Sequence, residues 1–115
     1  MYAEVSDLLD RPATVSGRAL RSVQLAVARA GKRLVSVGER GTVLLSDDDG
    51  RTWRQAKVPV SLTLTCVCFA SERSGWAAGH SGVVLRTSDG GETWVKQLDG
   101  RQAAQIELAA AKAAA

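Results

Sequence analysis

A sixteen-residue stretch occurs twice in this chain, from Gly38 to Trp53 and from Gly79 to Trp94, at a constant offset of 41 residues (94 minus 53). Its core is Ser46-Asp47-Asp48-Asp49-Gly50-Arg51-Thr52-Trp53 in the first copy and Thr87-Ser88-Asp89-Gly90-Gly91-Glu92-Thr93-Trp94 in the second. Both obey one pattern, Ser/Thr-x-Asp-x-Gly-x-Thr-Trp. A period near forty residues marks radial or stacked architectures, in which one unit cannot bury its own faces and must be covered by the next. Two such units are too few to close a ring.

Around each octet the residues alternate in the manner of strands. From Leu20, Val23, Leu25 and Val27 are set against Ser22, Gln24 and Ala26, as in a half-buried strand. Arg33 to Val37 and Thr42 to Ser46 flank the glycine-bounded turn Gly38-Glu39-Arg40-Gly41, which is a hairpin signal. Arg51 to Val58 reads as a fourth strand, and Pro59 with Ser61 as an exit loop. The second unit repeats the plan with Leu62 to Ala70, Gly75 to Ala78, Val83 to Thr87 and Glu92 to Leu98. Four antiparallel strands per repeat make a propeller blade, so the expected fold is all-β, with two four-stranded blades of a larger or self-completed propeller. The expected divisions are a lead-in over 1–19, blade 1 over 20–59, blade 2 over 60–99 and an alanine-rich helical tail over 100–115. The lead-in has one turn of helix ended by Pro12. The tail carries no stop signal, as expected where a helix runs on past a cut or frays.

Within the octet each residue type has a structural reason. Asp48 and Asp89 are placed to accept amide hydrogens that the turn removes from the ladder, and Ser46 and Thr87 to add a hydroxyl bond. Gly50 and Gly91 are expected at positive φ. Trp53 and Trp94 are expected to face inward and wedge between neighbouring sheets. Three consecutive aspartates invite comparison with a calcium loop, but only the middle carboxylate is common to both copies, and one carboxylate is a poor calcium site. No metal site is expected.

Composition removes other classes. The 45% hydrophobic content fits a globular domain, and a formal charge of +3, evenly spread, is not a nucleic-acid footprint. No apolar run is long enough to cross a bilayer, and the opening Met1-Tyr2-Ala3-Glu4-Val5 has no signal-peptide character. Cys66 and Cys68 flank one residue, so on a strand they point the same way about 6.6 Å apart, beyond disulfide reach, and are expected to be buried small hydrophobes. Metal chemistry lacks further ligands, since His80 is the only histidine.

The octets resemble the Asp-box, or bacterial neuraminidase repeat, of sialidase, glycosidase and sortilin-type propellers. The longer string from Gly75 to Trp94 resembles the blades of the photosystem II stability/assembly factor-like family. The resemblance spans about Leu20 to Leu98. It is weaker in the first unit, where Leu34-Val35 stands in place of Gly75-Trp76, and the tail resembles a helical insertion between blades. It implies a non-catalytic, extracytoplasmic scaffold, in the periplasm or a lumen, without cofactor, that assists a membrane protein complex and needs further blades or self-association to close its ring. The alternative is a fragment of a sialidase-like glycosidase. Such an enzyme would need a tyrosine nucleophile with a glutamate partner, and the only tyrosine is Tyr2, in the lead-in.

Antiparallel order places the octets and the turns at Gly38-Gly41 and Gly79-Gly82 at opposite ends of the blades. The candidate binding face is therefore the turn end, with Glu39, Arg40, His80 and Ser81, the exit loop Lys57 to Ser61, and Arg86 as further residues to test.

Overall fold

Period-two alternation, broken by glycine turns, becomes eight short strands. The computed structural model describes residues 9–14 and 21–101, so the expected tail lies outside the described residues from Gln102 onward, as does much of the lead-in. The strands are β1 (Gln24–Ala30), β2 (Arg33–Gly38), β3 (Val43–Ser46), β4 (Arg54–Gln55), β5 (Leu64–Phe69), β6 (Gly75–Gly79), β7 (Val84–Thr87) and β8 (Val95–Leu98). They form two antiparallel sheets, ordered β1-β2-β3-β4 and β5-β6-β7-β8. Each sheet is one blade of a propeller.

The ladders assign every side chain to a face. In sheet 1, Val27, Ser36 and Leu44 lie opposite one another in one row, and Ala28, Val35 and Leu45 form the next. Successive rows point to opposite sides of a sheet. Val35, Val37, Val43 and Leu45 are essentially fully buried, and with Ala77, Leu85 and Trp94 of sheet 2 they make one core. Burying each such side chain contributes about 1.5–3 kcal/mol. The inner strands β1 and β5 lie close together, which wedges the two blades.

Sheet 2 is the same blade in the same orientation. Val67, Ala77 and Leu85 repeat the row of Val27, Ser36 and Leu44, at an offset of 40 in the first strand and 41 in the others. The face that sheet 2 turns toward sheet 1 is therefore the one that sheet 1 turns away. Two faces remain outward: the Val27 face of sheet 1 and the Cys68 face of sheet 2.

This stacking corrects several expectations. Val23, Leu25 and Val27 are 58%, 50% and 62% exposed: Val27 lies on the face of sheet 1 that no sheet among the described residues covers, and a register shift between Gln24 and Ala26 breaks the alternation before it. Cys66 and Cys68 are exposed rather than buried. Their counterparts Ala26 and Ala28 lie on the covered face of sheet 1, whereas the cysteines lie on the outward face of sheet 2. Trp94 is buried, but Trp53 is only half-buried, so the two tryptophans do not both wedge between sheets.

The expected fourth strand also shrinks to Arg54–Gln55, because Arg51 to Trp53 remain within the octet turn. The segment after it is not a loose exit loop. Ala56, Val58, Val60, Leu62 and Leu64 are each buried, so an extended connector alternates across the join with Pro59 inside it. Part of the lead-in packs beside it. Leu9 and Ala13 are buried, the Ala13 amide donates to the Val58 carbonyl at 2.9 Å, and the Ser61 hydroxyl donates to the Arg11 carbonyl at 2.9 Å. Lys96 and Arg101 bind Asp10 there at 3.0 Å each.

Removing a buried aromatic costs the transfer of its atoms plus the cavity left behind. Trp94→Ala is expected to lower stability by about 3–5 kcal/mol and Trp53→Ala by roughly half as much, as measured by urea unfolding.

Candidate functional site

The two octets fold alike around one shared set of bonds. In the first, Asp48 Oδ1 accepts the Ser46 hydroxyl at 2.8 Å and the Thr52 amide at 2.8 Å, while Oδ2 accepts the Thr52 hydroxyl. The Gly50 amide donates to Ser46 Oγ at 2.8 Å. In the second, Asp89 accepts the Thr87 hydroxyl at 2.8 Å, the Thr93 amide at 3.0 Å and the Thr93 hydroxyl, and the Gly91 amide donates to Thr87 Oγ1 at 2.9 Å. Each carboxylate thus takes one backbone amide of its turn directly. The amide of the glycine goes to the hydroxyl of the first octet residue, which passes its own hydrogen to the aspartate.

Gly50 and Gly91 have φ of 90° and 96°, where a side chain is strained. The preceding residues, Asp49 and Gly90, are also left-handed, which the repeat alone did not disclose. The indole N–H of Trp53 donates to the Gly50 carbonyl at 2.9 Å, and that of Trp94 to the Gly91 carbonyl at 2.8 Å. This last bond aims each ring. The signal for it was present in the fixed glycine-to-tryptophan spacing.

Both oxygens of each carboxylate are engaged from within the octet. The Thr52 hydroxyl, then the Thr52 amide and the Ser46 hydroxyl, lower the Asp48 pKa from 3.8 to about 2. For Asp89 burial opposes ionisation, and the Thr93 hydroxyl and amide outweigh it, so its pKa is also lowered. Among the described residues no three His, Cys, Asp or Glu side chains gather as metal ligands.

Charge binds the octet ends of the two sheets together. Arg33 Nε donates to Asp47 at 2.7 Å, its Nη1 to the Gly90 carbonyl at 3.2 Å, and its Nη2 lies 3.3 Å from Glu92. Arg54 holds Glu92 through both terminal guanidinium nitrogens, Nη1 and Nη2, which lowers the Glu92 pKa. The first octet has Arg51 in place of Glu92, so this clamp occurs once.

At the opposite end the two turns are near copies of each other. Arg40 sits at φ 58°, ψ 28°, and Ser81 at φ 57°, ψ 27°. A Cβ on Gly38 would lie 2.1 Å from the Val23 carbonyl, and one on Gly79 2.1 Å from the Thr63 carbonyl, so only glycine lets the incoming chain pass. Glu39 is half-buried and accepts the Val23 amide at 3.0 Å, so it anchors the entry to β1. Arg40 and His80 are exposed and without an ion-pair partner among the described residues.

Arg86 is not at that end. It stands mid-strand in β7 on the outward face of sheet 2, its guanidinium carbon 5.6 Å from the centre of the Trp76 ring. Of the exit loop, Lys57 is exposed, whereas Val58 and Val60 are buried. The turn end therefore presents Arg40, His80 and Ser81, with Glu39 beneath them.

The family model of the photosynthesis system II assembly factor YCF48 matches residues 51–113. The chain is 34% identical over 88 residues to the chloroplastic photosystem II stability/assembly factor HCF136 of Cyanidioschyzon merolae, covering 75% of this chain and 19% of that protein. It is 40% identical over 57 residues to HCF136 of Arabidopsis thaliana, covering 47% and 14%. A solved structure of YCF48 bound to D1 peptide superposes with a TM-score of 0.60 at 25% identity, over 68% of this chain and 27% of that one. The chain thus spans about a fifth of the first relative and about a quarter of the solved one.

Three substitutions test the octet. A carboxyl with a depressed folded pKa stabilises the fold above its ordinary pKa and loses that contribution as pH falls through the folded value. Asp48→Asn is therefore expected to be less stable at neutral pH, and to lose less stability than the parent between pH 3.8 and about 2, by thermal melts across that range. Gly50→Ala is expected to cost about 1–2 kcal/mol for its left-handed backbone. Gly91→Ala is expected to cost more in urea unfolding, because its Cβ would also lie 3.1 Å from Leu45 Cδ2 across the join.

Proposed function

The chain belongs to the family of the photosynthesis system II assembly factor YCF48, and from that membership we propose that it is a non-catalytic docking scaffold for a polypeptide partner. The partner in this reading is a subunit of a membrane protein complex, met on the extracytoplasmic side. Its docking surface is the turn end, through Arg40 and His80.

One observation carries the reading: a relative with this fold is known bound to D1 peptide, and both named curated relatives are stability/assembly factors. The distribution of charge supports the choice of end. At the octet end Arg33 and Arg54 are occupied by Asp47 and Glu92, and beside the lead-in Lys96 and Arg101 are occupied by Asp10 and Asp99. Arg40 and His80 keep their donors for a ligand, on turns that the blades hold in fixed shape. Recognition of this kind favours an extended segment bearing carboxylate or carbonyl acceptors.

A photo-crosslinking side chain at position 40, introduced in the source cells, tests it. The expected product is an adduct with a subunit of an integral membrane complex, lost when Arg40 and His80 are both reversed to Glu in a protein crosslinked from a neighbouring turn position. Adducts formed only with soluble proteins would refute it.

A further inference from the structure

The described part of the lead-in, Leu9 to Thr14, is held the way a groove holds a peptide. Four of its main-chain carbonyls accept hydrogens from side chains of the blades and the connector. Leu9 accepts from Lys96 Nζ at 3.3 Å, Arg11 and Pro12 share the Ser61 hydroxyl at 2.9 Å and 3.1 Å, and Thr14 accepts from Gln55 Nε2 at 2.8 Å. In return the Ala13 amide donates to the Val58 carbonyl at 2.9 Å. Bonds of this kind read only backbone, which any polypeptide supplies, and leave the choice of sequence to side-chain pockets. Gln55 and Lys96 are the same position of the repeat, opposite Leu44 in β3 and Leu85 in β7, so each blade grips the segment from its outer strand.

Side chains are read at three places. Leu9 and Ala13 are buried, whereas Arg11, Pro12 and Thr14 are exposed. Between the two buried residues, Asp10 accepts from Lys96 Nζ at 3.0 Å and from Arg101 Nη1 and Nη2 at 3.2 Å and 3.0 Å. Both cations are also fixed by Asp99, which is 1% exposed and lies 3.2 Å from Lys96 Nζ and 2.7 Å from Arg101 Nη2. The groove thus sets two cations against one acid of its own, and the lead-in supplies the second carboxylate. Asp10 is 59% exposed, and ion pairs open to water hold only weakly, so this latch is exchangeable.

We infer that this is a polypeptide-binding groove, that Leu9 to Thr14 is its internal occupant, and that a partner segment of the same chemistry displaces it. That chemistry is an aliphatic residue, a carboxylate directly after it, two residues whose side chains are not read, and a small residue. The groove borders the turn end, since a Cβ on Gly41 would lie 3.3 Å from Ala13 Cβ. Its recognition uses neither Arg40 nor His80 and does not depend on the docking surface proposed above. While seated, the lead-in competes from the same chain, at an effective concentration on the order of millimolar for a short tether. It therefore turns away weak ligands and yields to those that match at both the aliphatic and the carboxylate position.

Fluorescence anisotropy of a labelled synthetic peptide spanning residues 7–16 tests the inference, with the full 115-residue chain as receptor. Asp10→Lys in the chain loosens the internal occupant and is expected to tighten binding of the unaltered peptide by about tenfold or more. Asp10→Lys in the peptide should weaken its binding to that same chain by a similar factor. Urea unfolding checks that the altered chain keeps its fold. In the parent chain, the Ala13 amide is expected to exchange its hydrogen about a hundredfold faster than the amides of β2 and β6, because the segment opens without the blades. Exchange of Ala13 only with global unfolding would overturn the inference. So would a folded Asp10→Lys chain that does not bind the peptide, or binding indifferent to the peptide's own Asp10. A parent chain that dimerises until the free peptide is added would also overturn it, by giving the groove to a second copy.

Discussion

The indole of Trp94, tied by its N–H to the Gly91 carbonyl and laid toward sheet 1, is the contact on which the arrangement of the two blades depends. A four-stranded sheet of this size has two faces and no core of its own. What makes the pair a folded unit is that the second octet brings the Trp94 ring into the shared core and sets Gly91 against Val35 and Leu45 of the first sheet. Asp89, Thr87 and Thr93 serve that end, since they close the turn from which the ring projects. The acidic octet is thus turned on itself. Its carboxylate spends both oxygens on the turn that it closes.

The copies differ where their surroundings differ. Glu92 can be held by Arg33 and Arg54 because a sheet lies in front of it, and the corresponding Arg51 has none among the described residues. Val35 and Leu45 are covered, whereas of their counterparts Trp76 is half-buried and Arg86 exposed, one lying over the other. The repeat therefore has a direction. One side of each blade donates the octet and its tryptophan, and the other receives them.

The proposed docking surface lies at the end away from the octets. The turns there are shaped by backbone close approach at Gly38 and Gly79, and of their tip residues Arg40, His80 and Ser81 are exposed while Glu39 anchors the entry to β1. The tips read Glu39-Arg40 in one copy and His80-Ser81 in the other. A surface of this kind suits a family whose matched model and relatives are named as stability/assembly factors. Arg86, grouped with these residues by sequence reasoning, belongs instead to the outward sheet face.

The repeat, its period and the positions of glycine, aspartate and tryptophan were enough to determine two antiparallel blades, the placement of the octet turns and the opposite placement of the glycine-bounded turns. These depend on local contacts, within four residues for the octet and within one hairpin for the turns. Only the tertiary structure decided which faces are covered. Val23, Leu25 and Val27 alternate like a core strand yet stand exposed, and Ala56 to Leu64 reads as an exit interrupted by Pro59 yet runs buried beside Leu9 and Ala13. The reason is that alternation assigns residues to two sides of a sheet and carries no information on which side receives a neighbour. That is set by the order in which blades stack, and it is why Trp94 is buried while Trp53, its equal in sequence, stays half open.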